Sequence, residues 1–210
     1  MIVSEQHKLL FLHNPKTAGV SIGRWLVENT FARRVAYEHS TAAEGRLLLG
    51  DNWDNYFKFG FVRNPWSRLA SWWKMIEESP EREKTNPLWV YARQNAHTFS
   101  EFVLRCTESV RTSDGSSLDS FARPQLDYFT DSSGRMLVNF IGRYENLEVD
   151  WEGAIRSKIV FNNRWRRQPS LSRLNVDKSN TGYRNLYNEE LRGVVADRFS
   201  KDIEFFKYEF

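Results

Sequence analysis

Side chains suited to holding an anion are concentrated in one short run, His13-Asn14-Pro15-Lys16-Thr17-Ala18-Gly19-Val20-Ser21. If an apolar strand ends here and a helix begins, the first helical N–H groups have no intrahelical partner and the positive end of the helix dipole faces outward. Together these make an anion site. Lys16 adds a cation at the loop tip, Thr17 and Ser21 add hydroxyls, and Gly19 allows close approach to the backbone. A phosphate or sulfate suits this set. The run is not the nucleotide loop G-x-x-x-x-G-K-[ST], because here the lysine precedes the glycine.

A second run, Phe61-Val62-Arg63-Asn64-Pro65-Trp66-Ser67-Arg68-Leu69-Ala70-Ser71, places Arg63 at the end of a strand. There its planar fork can grip a phosphate with two parallel hydrogen bonds. Ser71 falls about two turns into the helix that follows. Taken singly, Arg63 also reads as a structural ion-pair residue and Ser71 as a helix-surface serine. A base with a pKa not far from neutrality is the remaining need of a transfer reaction. His39, in Tyr37-Glu38-His39-Ser40-Thr41-Ala42, is the candidate, with Glu38 as the fallback. The four histidines, His7, His13, His39 and His97, show no metal-ligand spacing, so no metal is expected.

The elements that must position these residues are legible in outline. Lys8–His13 reads as a buried strand, Val20–Glu28 as a helix, Val35–His39 as a second strand and Ala42–Leu49 as a short helix. Tyr56–Arg63 alternates and reads as a strand. Asn64-Pro65 is a helix start, an N-cap followed by proline at the first helical position. Leu69, Trp72, Trp73 and Ile76 then share one helix face. Further on, Trp89–Glu108 reads as helical, Met136–Tyr144 as a strand, the region around Trp151–Lys158 as a helix, Asn162–Tyr183 as a basic loop and Asn188–Ser200 as the last helix. Alternating strands and helices imply an α/β fold, a single domain over residues 1–210 with a central parallel sheet flanked by helices. In such sheets ligands sit beyond the carboxyl ends of the strands, which would bring Lys16, His39 and Arg63 to one edge. A strand alternates its side chains, so Glu38 should point away from His39.

The two runs together resemble the PAPS-dependent sulfotransferases, in the branch that holds many carbohydrate sulfotransferases. PKTAGVS (Pro15–Ser21) looks like that family's 5′-phosphosulfate loop. RNPWSRLAS (Arg63–Ser71) looks like its 3′-phosphate site. Their order and their separation of about 45 residues match as well. Fainter echoes continue through Arg123–Phe129, Ile141–Leu147, Asn175–Tyr183 and Asp202–Tyr208. The resemblance implies a P-loop-like sulfotransferase fold. It also implies transfer of a sulfuryl group from 3′-phosphoadenosine 5′-phosphosulfate (PAPS) to a hydroxyl acceptor, with 3′,5′-ADP as product.

Carried over by position, Lys16 contacts the bridging oxygen and the 5′-phosphosulfate. Thr17, Ala18, Gly19, Val20 and Ser21 complete the cradle, largely through backbone N–H groups, and Arg63 and Ser71 bind the 3′-phosphate. Lys178 and Ser179 fall in a segment resembling a late cofactor-closing loop. His39 takes the place of the catalytic base. Val20 departs from a frequent threonine, which removes one hydroxyl. Ala18 departs from a frequent glycine, which the loop tolerates if its φ is negative. The acceptor implied is a sugar hydroxyl on a glycan or glycoconjugate, and the tryptophans Trp66, Trp72, Trp73 and Trp89 could face sugars or fill the core. Gln125 is a candidate for the acceptor side, His13 for loop support, and Arg143 for a structural ion pair.

Composition sets the outer bounds. Hydrophobic residues at 40% and charged residues at 27% exclude a disordered chain. A net charge of +3 suits an anionic small ligand and does not require nucleic acid. Its densest cluster is Arg164, Arg166 and Arg167. The single cysteine, Cys106, excludes an internal disulfide and sits in an apolar helical pattern. No run of about 18 apolar residues exists and Met1–Lys8 reads as a polar terminus, so a soluble, cytoplasmic setting is expected. Two other classes remain open at this level: a nucleotide or nucleoside kinase, and a non-catalytic polyanion-binding protein.

Overall fold

The computed structural model describes residues 1–108, 117–159, 171 and 182–210. In chain order the strands are β1 (Ile2–Ser4), β2 (Leu9–Leu12), β3 (Arg33–Arg34), β4 (Phe57–Val62) and β5 (Phe140–Arg143). The helices are α1 (Gly19–Thr30), α2 (Ala42–Leu49), α3 (Pro65–Glu78), α4 (Pro87–Asn95), α5 (Phe99–Cys106), α6 (Leu147–Asp150), α7 (Glu189–Arg198) and α8 (Ser200–Phe206). They gather into two compact units, Met1–Val62 with Asp127–Val176 and Arg63–Leu126 with Asp177–Phe210.

The first unit holds the whole sheet, in the order β3-β1-β2-β4-β5. Its centre is parallel as expected: β2 pairs with β4 and β4 with β5. Its other side is not. β1 runs antiparallel to both β2 and β3, so the sheet is mixed. Met1–Lys8 is therefore not simply a polar terminus. Ile2–Ser4 is a buried strand, and only residues 5–8 form the turn into β2. A strand of three residues is too short to display a period. Phe11 and Phe59 lie fully buried side by side, ring centroids 5.3 Å apart, in a core with Ile22, Trp25, Leu26 and Trp151. Burying a large side chain of this kind stabilises by roughly 1.5–3 kcal/mol.

The expected strand Val35–His39 is not a strand. Pairing with β1 stops at Arg34. Beyond it the chain turns, with Ser40 N–H donating to Tyr37 O at 3.2 Å. The Met1 amine donates to Tyr37 O at 2.9 Å and to Glu38 O at 3.3 Å, so those carbonyls face a point donor instead of a ladder. The region around Trp151–Lys158 is helical only as short π and 3-10 turns after α6.

The second unit is helical. Asn64 caps α3 as its sequence predicts, accepting from Trp66 N at 3.1 Å, with Pro65 in the first turn. Leu69, Trp72, Trp73 and Ile76 are all buried. The span Trp89–Glu108 is two helices, because Thr98 accepts from Glu101 N and Glu101 accepts from His97 N. The Thr98 cap, with Glu101 holding His97 just before it, starts α5 afresh. Asn188 caps α7, and the chain continues past Phe199 into α8. The core here is aromatic: Trp72 and Phe102 both pack edge-to-face on Phe121, at 5.0 and 4.9 Å between centroids. Trp66 and Trp89 are likewise buried, so these four tryptophans fill the core and present no sugar platform. Cys106 is buried, and burial pushes its thiol up to about 11.

Candidate functional site

Between β2 and α1 the backbone makes the loop that the sequence marks as a candidate anion site. Asn14 anchors it to the neighbouring strand, its side-chain amide donating to Phe61 O at 3.0 Å. Thr17 closes it from inside, its hydroxyl donating to Asn14 O at 2.8 Å. Thr17 is fully buried, so its proton is spent within the loop and its backbone is what it can offer a ligand. Lys16 and Ala18 both adopt φ 68, the left-handed region. The condition of a negative φ at Ala18 is thus not met: this alanine holds a conformation in which glycine is the unstrained residue. Such turns point successive N–H groups inward, as in anion-binding backbone nests. Ala18 is also the N-cap of α1 and provides no side-chain cap, and no acidic residue lies in the first turn. The helix start is therefore left open for an external anion.

Gly19 is needed for a reason the sequence did not reveal. A Cβ placed on it would overlap the Cδ2 and Nε2 atoms of the His13 ring. The imidazole of His13 lies directly against the first residue of α1, so the glycine makes room for a side chain as much as for a ligand. Val20, the departure from the threonine frequent in the resembled family, is half exposed at 53%.

Around His13 the turn at 37–39 assembles a polar cluster. His13 Nδ1 lies 3.1 Å from Glu38 Oε1. His39 Nδ1 lies 2.9 Å from the backbone oxygen of His13. A carbonyl can only accept, so His39 Nδ1 carries the proton and Nε2 carries the lone pair. The two rings meet edge-on with centroids 4.6 Å apart. Glu38 does not point away from His39, because no strand alternates them. It is held by His13 and by Arg34 at 3.5 Å.

Burial lowers the pKa of His13, and both burial and the neighbouring His13 lower that of His39, to about 4. The hydrogen bond from His13, and then charge interactions with both histidines and Arg34, hold Glu38 down at about 2. At neutral pH the cluster thus contains two neutral imidazoles and one carboxylate. Thr41, two residues past His39, fixes the segment through a capping box with Glu44: Thr41 N donates to Glu44 Oε2 at 2.6 Å and Thr41 Oγ1 accepts from Glu44 N at 3.3 Å. Ligand-capable atoms of His13, Glu38 and His39 lie within 4.8 Å of one another. That His/Glu/His set is metal-capable chemistry that chain spacing had concealed.

In the second unit, Arg63 Nε donates to Ser67 Oγ at 2.9 Å. Ser67 and Ser71 are four residues apart on α3 and so share a face. Ser67 was missed by sequence reasoning, although its i, i+4 spacing to both Arg63 and Ser71 was visible. Gln125 does not face an acceptor. It is fully buried, its Oε1 accepting from Arg63 N at 2.9 Å and its Nε2 donating to Arg63 O at 2.7 Å. Asp202, on α8, receives the backbone N–H groups of Gln125 at 2.8 Å and Leu126 at 2.9 Å. Arg68 is buried and pins Ser120 O and Arg123 O. The Arg143 N–H donates to Asp150 at 2.6 Å. Lys178 and Ser179, the cluster Arg164, Arg166 and Arg167, and most of Asn175–Tyr183 lie outside the described residues.

The first unit therefore brings Lys16, Thr17, Ala18, Gly19, Val20 and Ser21 onto one strand–loop–helix corner and seats His39 against it through His13. The second unit joins Arg63 to Ser67 and carries Ser71 one turn further along α3. The model of the sulfotransferase family matches residues 1–209, and the chain belongs to that family. It is an α/β transferase of sulfuryl groups. Comparison with curated proteins and with solved structures gives no significant match. Among the described residues no helix is long and apolar enough to cross a membrane.

Proposed function

We propose that the chain transfers the sulfuryl group of PAPS to a hydroxyl of a carbohydrate or glycoconjugate, releasing 3′,5′-ADP. The observation that carries this reading is the open start of α1, with left-handed Lys16 and Ala18 before it and the neutral His39 imidazole held beside it. The residues fit the donor: a helix start with no side-chain cap and no first-turn carboxylate suits a phosphosulfate. Arg63 with Ser71, and Ser67 orienting the guanidinium, are assigned to the 3′-phosphate, and Lys178 and Ser179 to a closing contact.

PAPS, when bound, supplies an activated sulfur whose bond to the bridging phosphate oxygen breaks as the acceptor oxygen bonds to it. His39 Nε2 receives the acceptor's proton, and its Nδ1–H stays on the His13 carbonyl, so the ring does not turn. Anionic groups at the loop favour the imidazolium that forms, which offsets the low proton affinity of the empty site. Lys16 and the backbone N–H groups from Thr17 to Ser21 stabilise charge growing on the departing phosphate. Glu38 orients His13 and takes no proton. The scheme requires no metal.

The test is transfer of radiolabelled sulfuryl from PAPS to an oligosaccharide panel, in wild type and Lys16→Ala. Label moving to acceptor in the wild type alone is expected. Equal transfer by Lys16→Ala would refute the assigned loop.

A further inference from the structure

Alternation along β4 puts the buried Phe59 and Phe61 and the partly buried Phe57 on one face and sends Lys58 to the other. Lys58 is also buried, at 6% exposure, which is unusual for a lysine. Its Nζ donates to Trp53 O at 3.3 Å, lies 3.6 Å from Asp54 and sits 5.3 Å from the Trp53 ring centroid. Its backbone is tied to Asn139 in both directions: Lys58 N donates to Asn139 Oδ1 and Asn139 N donates to Lys58 O, each at 2.8 Å. This fixes Lys58 in the wall of a cavity of about 210 Å³, which Arg46, Trp53, Asp54, Arg135 and Asn139 also line.

The charges around it are unbalanced. Among the described residues lining it, Arg46, Lys58 and Arg135 face a single carboxylate, Asp54. Arg46 projects from the last turn of α2, and Arg135 follows a turn that Asp131 organises by accepting from the N–H groups of Ser133 and Arg135, each at 3.0 Å. Both arginines are exposed, whereas Lys58 is anchored from below. A buried, anchored cation with two exposed guanidinium forks in the same lining is suited to a carboxylate or a sulfate ester. The volume corresponds to roughly seven waters, far more than one tetrahedral anion fills. The rest of the lining combines Met136, Leu137 and Val138 with Asn139, whose Oδ1 is occupied by Lys58 N.

The cavity lies beside the beginnings of β4 and β5, where Lys58 and Asn139 line it. The loop at Lys16 follows the end of β2, and β2 and β4 are parallel. The two places are thus at opposite edges of the sheet, about 13 Å apart measured along β4. We infer that this cavity is a second binding site, for the anionic group of an acidic saccharide, a uronate carboxylate or a sulfate ester, held between Arg46, Lys58 and Arg135. The inference rests on the reading of a carbohydrate acceptor. It makes that acceptor a chain of several sugars whose own charge grips the enzyme away from the transferring edge.

The test is calorimetric titration of the full chain with D-glucose 6-sulfate and D-glucuronate, with D-glucose and inorganic sulfate as controls. Wild type should bind one or both sugar acids, and the pair of them identifies which anion is preferred. Arg46→Ala/Arg135→Ala, two surface changes that leave Lys58 and its packing in place, should weaken that binding at least about tenfold. The same variant should keep the thermal stabilisation by 3′,5′-ADP, which reports the donor site separately. Binding unchanged in the variant, or no sugar acid bound by wild type, would overturn the inference. Glucose binding as tightly as its sulfate would overturn the anionic part, and inorganic sulfate doing so would overturn the saccharide part. If sugar acids bind while 3′,5′-ADP does not, the cavity assignment survives and the proposed reaction fails.

Discussion

His39 Nδ1 and the backbone oxygen of His13 lie 2.9 Å apart, and this one bond decides which nitrogen of His39 can act as a base. It puts the proton on Nδ1 and the lone pair on Nε2. It also ties the imidazole to the residue that immediately precedes the loop at Lys16, so the proposed base and the proposed cradle share a mechanical support.

Removing that imidazole should separate chemistry from binding. His39→Ala is expected to lower kcat by about 10²–10⁴-fold, the usual contribution of a positioned base. The affinity for 3′,5′-ADP, measured by calorimetry, should be unchanged. Turnover within about threefold of wild type would place the base elsewhere.

The same histidine predicts an unusual pH response. Its pKa is lowered from the ordinary 6.5 to about 4, so the unfolded chain binds more protons than the folded one between those values. Stability is therefore complete above pH 6.5 and declines as pH falls toward 4, by up to about 3 kcal/mol from this group. Glu38, held down to about 2, adds a loss at still lower pH. Chemical denaturation at pH 7 and pH 4.5 should register the first decline, and His39→Ala should reduce it. A decline of the same size in the variant would assign it to other groups.

Neighbouring substitutions in the loop should act in opposite directions. Ala18→Gly relieves a left-handed alanine, and relief of roughly 1–2 kcal/mol should exceed the added chain entropy of glycine. Its melting temperature should rise by about 2–4 °C. Gly19→Ala drives a Cβ into the His13 ring and should cost roughly 1–3 kcal/mol. A stable, fully active Gly19→Ala protein would mean that His13 does not occupy the position described.

The buried link between Gln125 and Asp202 should prove structural. Asp202→Ala strands two backbone N–H donors and the Gln125 amide, and is expected to destabilise by about 2–4 kcal/mol in urea unfolding. Asp202→Asn keeps one acceptor oxygen and should lose less. Equal losses would show that the carboxylate's hydrogen bonds are not what the site depends on.

Much of the scaffold was legible because its signals are local. The buried runs of β2 and β4, the Asn64-Pro65 start of α3 and the span of α2 depend on apolar pattern and capping within a few residues. What could not be read depends on contacts far along the chain. Val35–His39 is turned because Met1 and His13 take its polar groups, and neither is a sequence neighbour. Gln125 reads in the sequence as a candidate for the acceptor side, but its partners are Arg63 and Asp202, on either side of it in the chain at long range. The Lys16, Thr17 and Gly19 corner was visible as a pattern, whereas the left-handed backbone at Ala18 and the His13 ring against Gly19 required coordinates. Ser67 lay in plain view at helical spacing from Ser71 and was overlooked because its role is to orient Arg63.

The most direct test of sulfuryl transfer from PAPS is a thermal-shift titration with 3′,5′-ADP, with Mg²⁺-ATP as control. At 100 times its dissociation constant a ligand adds about 2.7 kcal/mol of stability. A clear shift with 3′,5′-ADP, diminished in Lys16→Ala and in Arg63→Ala, is the predicted result. A shift with Mg²⁺-ATP and none with 3′,5′-ADP would contradict the proposed donor.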